Sequence, residues 1–349
     1  MIFTFHTLKH SSETKFLLIY LTVFILFSQT TLATAQVPPA EKSKNMYSNP
    51  VDARSLPDPT IIKGKDGWFY LYATENIRHV PILRSKNLTQ WELIGTAFTK
   101  ESRPDFEPKA GIWAPDINYF NKKYVMYYSM SVWGGEWTCG VGVATADKPE
   151  GPFTDHGKLF RSNEINVQNS IDPFFIQDKG KKYLFWGSFR GINYIELSKD
   201  GLSLKKGAKP TQVAGTVFEG TYIYKRNGYY YFFASVGSCC AGLNSTYRLV
   251  VGRSKNLLGP YVDRTGTPMM KNGFEVVIDR NERFLGNGHN AEIVQDDAGR
   301  DWIFYHGIDV NEPNKRVLLL DEVLWDKDGW PYVQNSGTPS LNAEAPVFK

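Results

Sequence analysis

A pattern that recurs five times along this chain constrains its fold more than any other feature. Each copy holds a polar head residue, a short apolar strand, a tight turn and an aromatic strand. The copies read LPDPTIIKGKDGWFYLYATE, WAPDINYFNKKYVMYYSMS, SIDPFFIQDKGKKYLFWGSF, FEGTYIYKRNGYYYFFAS and GHNAEIVQDDAGRDWIFYHG. Their heads are Asp58, Asp116, Asp172, Glu219 and His289. In the fourth copy the turn Lys225-Arg226-Asn227-Gly228 contains Asn-Gly, the strongest short hairpin signal. The heads fall about 50 to 70 residues apart, the scale at which repeats build propellers or arrays.

The second half of each copy repeats as well. Ile82 to Leu88 (ILRSKNL) is echoed by Val251 to Leu257 (VGRSKNL), and Gly142 to Ala146 (GVATA) fills the same slot between them. Gly151-Pro152-Phe153 and Gly259-Pro260-Tyr261 follow as matching turns. Each unit therefore holds roughly four strands, which is one propeller blade. No stretch carries a helical period of apolar residues over three turns, so the chain reads as all-β. The expectation is a five-bladed β-propeller over residues 51–349, with the strands around Arg316 to Val333 completing the fifth blade. Some 300 residues are ample for one large core.

The first residues belong to targeting. Lys9 and Lys15 precede an apolar run from Phe16 to Phe27, and the small-x-small triplet Ala33-Thr34-Ala35 follows. The run is about a dozen residues, short of the roughly 20 that span a bilayer, so residues 1–35 read as a secretory signal peptide. Residues 36–50 (QVPPAEKSKNMYSNP) are Pro-rich and polar and read as a disordered leader. The mature protein is expected to be secreted or periplasmic, free of the membrane and monomeric. The whole chain's formal charge of +4 is spread as interspersed signs with no basic stripe, which excludes a nucleic-acid partner. The 3 cysteines make neither a disulfide framework nor a zinc spacing. A bond between the adjacent Cys239 and Cys240, a bridge to Cys139 and free thiols all stay open.

In a propeller the first strand of each blade lines the central channel, so the five heads form a ring at one end. Four carboxylates facing one cavity repel one another and lose hydration, and stability alone gives no reason to keep them. Carboxylates with pKa values pushed apart are what glycoside hydrolysis uses. An Asp-Pro pair alone is a plain turn signal, but the repeat sets Asp58 and Asp172 at equivalent places. Trp113 is a candidate for stacking on a sugar at the channel mouth. Asp116 is a candidate substrate contact or channel-wall residue. His306 and Arg316 belong to the fifth blade and are left outside the expected site. The 9 Trp, 19 Tyr and 22 Phe suit both a β-rich core and a sugar-binding site.

At these residues the chain resembles glycoside hydrolase family 43, the five-bladed arabinanases and xylosidases. The resemblance rests on Trp113-Ala114-Pro115-Asp116-Ile117, Ser170-Ile171-Asp172-Pro173, the run from Gly237 to Asp263, Gly286-Asn287-Gly288-His289-Asn290 and Asp328-Gly329-Trp330-Pro331. Within the family it is most similar to arabinanases acting on α-1,5-linked arabinan. The resemblance implies that Asp58 is the general base, Glu219 the general acid, and Asp172 the third carboxylate that tunes the acid and orients the sugar. It also implies that His289 faces a hydrated cation, usually calcium, on the channel axis. Catalysis would invert the anomeric centre, with the carboxyls of Asp58 and Glu219 roughly 6.5–9.5 Å apart. The implied substrate is plant cell-wall arabinan or arabino-oligosaccharides. An exo-acting arabinanase, α-L-arabinofuranosidase or β-xylosidase is the nearest rival, and a non-catalytic carbohydrate-binding propeller is another. The intact trio of Asp58, Asp172 and Glu219 argues against the last. Two positions depart from the pattern: Thr221 stands where proline usually follows the acid motif, and Pro57 where His or Arg usually precedes the first Asp-Pro.

Overall fold

Alternating apolar and polar residues, cut by Gly and Asn turns, fold each repeat into an antiparallel sheet. The computed structural model describes residues 45–349. The expected signal peptide lies outside the described residues. Blade 1 comprises Thr60–Lys63, Phe69–Tyr72, Pro81–Ser85 and Glu92–Thr96. Blade 2 comprises Gly111–Phe120, Lys123–Ser131, Gly140–Ala146 and Thr154–Arg161. Blade 3 comprises Phe174–Asp178, Lys181–Trp186, Ile192–Glu196 and Thr211–Ala214. Blade 4 comprises Glu219–Arg226, Tyr229–Val236, Arg248–Ser254 and Glu275–Ile278. In blade 5 the innermost strand is split into Phe284–Gly288 and Val294–Gln295, followed by Asp301–Asp309, Val317–Trp325 and Pro331–Val333. The five-bladed, all-β expectation holds.

The core lies between blades, where aromatic rings from neighbours meet. Tyr72 and Phe153 join blades 1 and 2 at 6.0 Å, and Phe160 and Trp186 join blades 2 and 3 at 4.7 Å. Phe185 and Phe232 join blades 3 and 4 at 6.2 Å, and Tyr224 and Trp325 join blades 4 and 5 at 6.0 Å. Trp91 and Phe304 close the ring at 5.5 Å. Large rings suit these gaps because each buries much apolar area and adds an edge or offset contact.

The ordered chain begins earlier than the composition of residues 36–50 predicts. Met46–Ser48 pairs antiparallel with Asn342–Glu344. Tyr47 is buried, and its hydroxyl donates to the Leu320 carbonyl at 2.7 Å. Asn49 is also buried. Its Nδ2 donates to the carbonyls of Leu320 at 2.9 Å and Ser340 at 3.0 Å, and its Oδ1 accepts from Leu320 N at 3.0 Å. Val51 N and Asp52 O then bond Leu318, each at 3.0 Å, before the chain enters blade 1. The start of the fold is thus sewn to blade 5. The composition-based leader ends short of residue 46 because a strand this brief shows only one buried aromatic and gains its partners from nearly 300 residues away. Asn49→Ala should lower the unfolding free energy by roughly 1–3 kcal/mol, since it strands the buried Leu320 N–H and the Ser340 carbonyl. Chemical denaturation checks this, and a loss under about 0.5 kcal/mol would count against the closure described here.

A backbone feature sets the register of the blades. Each blade carries, in or beside its innermost strand, a residue in the left-handed region: Asp58 (φ 54°), Ala114 (φ 42°), Asp172 (φ 60°), Gly220 (φ 62°) and His289 (φ 47°). Non-glycine residues rarely adopt this conformation, and here it recurs around the ring. A hydrogen bond to the preceding blade supports it in four of the five places. Asp58 N donates to His306 Nδ1 at 3.1 Å, and Ala114 N to Thr74 Oγ1 at 2.8 Å. Asp172 N donates to Ser129 Oγ and His289 N to Ser235 Oγ, both at 2.8 Å. Each acceptor sits within three residues of the end of a second strand. Blade 3 has Gly187 there, at φ 135°, where a Cβ would collide with the Gly191 carbonyl. With no side chain to receive it, the Gly220 N–H faces the Asp172 carboxylate instead and helps to lower that group's pKa.

Candidate active site

The left-handed ring opens onto a cavity of about 550 Å³, a volume suited to a small ligand. Asp58, Asp172, Glu219 and His289 line it together with Trp113 and Arg316. Four of the five heads therefore converge as the repeat predicts.

Asp58 is held from every side. Its Oδ2 accepts from Thr74 Oγ1 at 2.6 Å, and its Oδ1 from the Arg316 guanidinium at 3.1 Å. His289 Nδ1 stands 3.3 Å from the same Oδ1. Burial alone would raise the Asp58 pKa, but the Arg316 charge and the imidazole contacts outweigh it and hold the carboxyl well below the usual range. Asp58 is therefore ionised at neutral pH. His306 is fully buried, which pushes its pKa down to about 4, so it is neutral. Because Nδ1 accepts from Asp58 N, the His306 proton is assigned to Nε2. Its ring lies parallel to Tyr247, 7° apart in plane with centroids 5.6 Å apart.

Glu219 and Asp172 are shifted the other way. Glu219 Oε2 accepts from Ser188 Oγ at 2.6 Å, yet burial and the negative charge of Asp58 raise its pKa. Burial raises Asp172 further, with repulsion from Glu219 and Asp58 adding to it. Two buried, mutually repelling carboxyls share one proton over a range in which Asp58 has already lost its own. One cavity thus presents an ionised base and a proton donor, which is the pairing that hydrolysis of an acetal needs.

Asp116 is not part of this cavity. It lies two residues beyond the left-handed Ala114, level with Thr60, and so about 7 Å deeper along the strand. It is 4% exposed, and its Oδ2 accepts from Phe175 N of blade 3 at 2.9 Å and from Asn118 Nδ2 at 2.7 Å. Burial, with the charge of Glu292, raises its pKa. Glu292 in turn accepts from Thr60 Oγ1 at 2.8 Å and Ile61 N at 2.6 Å, tying blade 5 to blade 1. Asp116 is an inter-blade tie and stands apart from the residues that line the cavity. Matching heads by carboxylate missed this, because the true equivalent, Ala114, carries no polar signal.

Trp113 does face the cavity, and beside it stands Trp133, which is 78% exposed. Their ring centroids are 5.6 Å apart. Trp133, Thr74 and Ser188 are the site residues that sequence reasoning missed, while His306 and Arg316, which it placed in the fifth blade and left outside the site, stand against Asp58. Thr74 and Ser188 lie just beyond the ends of the aromatic strands, and His306 near the end of its own, a signal legible in the repeat. Thr221, where the family pattern has proline, is buried, and its hydroxyl finds no hydrogen-bond partner among the described residues.

Burial lowers the pKa of His289, so it is neutral and able to ligate a metal. Among the described residues no cluster of three or more His, Cys, Asp or Glu could hold an ion. Calcium takes 6 to 8 oxygens. The residues present do not fit a caged calcium, and they fit only an ion that keeps its waters and meets one imidazole.

Residues 47–331 match the description "Glycosyl hydrolases family 43". An extracellular endo-α-(1→5)-L-arabinanase of Bacillus subtilis is 33% identical over 326 residues, covering 88% of this chain and 97% of the relative. An extracellular exo-α-(1→5)-L-arabinofuranosidase of Cellvibrio japonicus is 32% identical, covering 79% of this chain and 85% of the relative. The solved structure of a Cellvibrio cellulosa α-L-arabinanase superposes with a TM-score of 0.73 at 30% identity, covering 80% of this chain and 95% of that one, and the same enzyme has been solved with arabinohexaose. Repeat, ring and cavity agree with these matches: the chain belongs to glycosyl hydrolase family 43.

Proposed function

We propose that this protein is a secreted, inverting endo-α-1,5-L-arabinanase. The observation that carries the reading is the opposed electrostatics of one cavity, with Asp58 held ionised by Arg316 beside a proton-sharing Asp172–Glu219 pair. Glu219 donates its proton to the glycosidic oxygen as the bond to the anomeric carbon breaks. Asp58 takes a proton from water, and that water oxygen bonds the anomeric carbon from the opposite face. The products are a shortened chain with a new reducing end of inverted configuration and a free hydroxyl on the leaving sugar. For this step the proton that the pair shares sits on Glu219, although burial raises Asp172 the more, and the negative charge then left on Asp172 holds that proton on Glu219 by repulsion. Arabinan as substrate and endo action follow the activity of the Bacillus subtilis relative. Secretion follows the extracellular relatives and the N-terminal sequence.

The exo reading is favoured by the Cellvibrio japonicus relative and by the solved structure of an exo-1,5-α-L-arabinanase from a bovine ruminal metagenomic library, 32% identical. Product sizes from linear and debranched arabinan separate the two. A ladder of mixed oligomers is expected, whereas arabinose or arabinobiose alone would establish exo action. A wild type as inert as Glu219→Gln on both polymers would leave a carbohydrate-binding propeller.

Arg316→Gln tests the electrostatics. Removing the guanidinium raises the Asp58 pKa, so the acidic limb of kcat/KM against pH should move to higher pH, with activity lost first at the acid end. An unmoved limb would contradict the role of Arg316. A hydrated cation at His289 belongs to the same proposal and would add positive potential beside Asp58. Chelation should then lower both the melting temperature and the activity, and calcium should restore both. Indifference of both would remove the ion from the account.

A further inference from the structure

The wall of the cavity formed by blade 4 is chemically unusual. It comes from the loop Gly237 to Thr246, between the second and third strands, and carries a disulfide between the adjacent residues Cys239 and Cys240. Both cysteines line the cavity. The base of the loop is pinned: Ser238 N donates to Thr246 Oγ1 at 3.1 Å, and Ser245 Oγ to Ser238 O at 2.6 Å. At Gly237, φ 90°, a Cβ would collide with the Thr246 carbonyl, so only glycine lets the two ends approach. Gly242, at the back of the loop, faces the Pro313 carbonyl of the blade 5 loop that leads to Arg316.

This bond contributes little to folding. A disulfide stabilises chiefly by closing a chain loop in the unfolded state, and here the sequence separation is 1. What it does accomplish is local. It joins two side chains and the intervening peptide into an eight-atom ring, removing their rotamer freedom and leaving a small plate of polarizable sulfur and methylene. Sulfur packs well on apolar ring faces. A surface already ordered binds without the loss of side-chain entropy that a flexible residue suffers. On blade 2, with blade 3 between, Trp113 and Trp133 present the other hard apolar surface of the cavity.

We propose that the Cys239–Cys240 disulfide is a substrate-contacting plate, against which the C–H face of an arabinofuranosyl ring packs while Trp113 and Trp133 bound the other side of the cavity. This rests on the arabinanase reading above. The plate contributes to binding and takes no part in proton transfer. The oxidised pair is therefore a specificity element for the known reaction. Cys139 does not compete for it, being fully buried with its thiol 3.2 Å from Ser162 Oγ.

The test compares wild type, wild type reduced and alkylated under native conditions, and the double variant Cys239→Ser/Cys240→Ser, with arabinohexaose as substrate. Opening the plate should raise KM about tenfold, as expected for losing one apolar contact, with a smaller change in kcat and the melting temperature nearly unmoved. The single variant Cys240→Ser should behave like the reduced wild type, because either change opens the ring. An unchanged KM in the reduced wild type overturns the inference, even if the double variant fails to fold. A fall in melting temperature without a KM change also overturns it and assigns the bond a structural role. A wild type inert on arabinohexaose refutes the arabinanase reading and the inference with it, whereas an active wild type whose KM ignores the disulfide refutes the inference alone.

Discussion

Asp58→Asn lowers kcat on arabinan by about 10³-fold or more, within the range that loss of a positioned base produces. The amide preserves the shape of the side chain, so Thr74 can still donate to it. The charge is what disappears. Arg316 then faces a neutral group at close range, and water at the anomeric carbon has no acceptor for its proton. Because Arg316 is about one-fifth exposed, solvent offsets part of its lost pairing, and the variant should remain folded. Turnover on linear arabinan, with circular dichroism as the control, checks both statements. A folded Asp58→Asn variant within about tenfold of wild type would end the assignment of Asp58 as base.

Glu219→Gln produces the second large loss, again about 10³-fold on arabinan, but with a signature that Asp58→Asn lacks. Protonation matters most when the leaving group is a poor one. A sugar alkoxide needs the proton and a dinitrophenolate does not. The Gln variant should therefore keep most of its activity on 2,4-dinitrophenyl α-L-arabinofuranoside while losing it on arabinan. Its pH profile should change as well. In the wild type, activity needs Asp58 ionised and the Asp172–Glu219 pair holding a proton. The acid limb therefore lies below the usual carboxylate range, and the alkaline limb lies above it. With Gln at position 219 the alkaline limb is lost. Equal losses on both substrates would show that Glu219 does something other than donate a proton.

The residues that line the cavity were legible wherever the backbone repeat and a polar side chain coincided. Asp58, Asp172 and His289 occupy the left-handed position itself, and Glu219 precedes it by one residue, so aligning the copies collects all four. Blade 2 shows the weakness of that reasoning. Its left-handed residue is Ala114, which has nothing to attract notice, and the nearby Asp116 drew the assignment although it points into the next blade. The residues that tune Asp58 were hidden for another reason. Arg316 reaches it across about 260 residues, from a loop with no motif around it. Tyr47 and Asn49 escaped in the same way, since their partners sit more than 270 residues on and local composition carries no trace of them. The adjacent cysteines are visible in the sequence, but only the fold places them on the cavity wall.

The central claim is that Asp58 and Glu219 act from opposite faces of the scissile bond with a water between them. The direct measurement is proton NMR of arabinohexaose during the first minutes of cleavage, before mutarotation blurs the signal. The account predicts that the new reducing ends appear first as the β-anomer and then relax to the equilibrium mixture. An initial α-anomer would mean retention through a covalent intermediate and would contradict the assignment of Asp58 as a base acting on water.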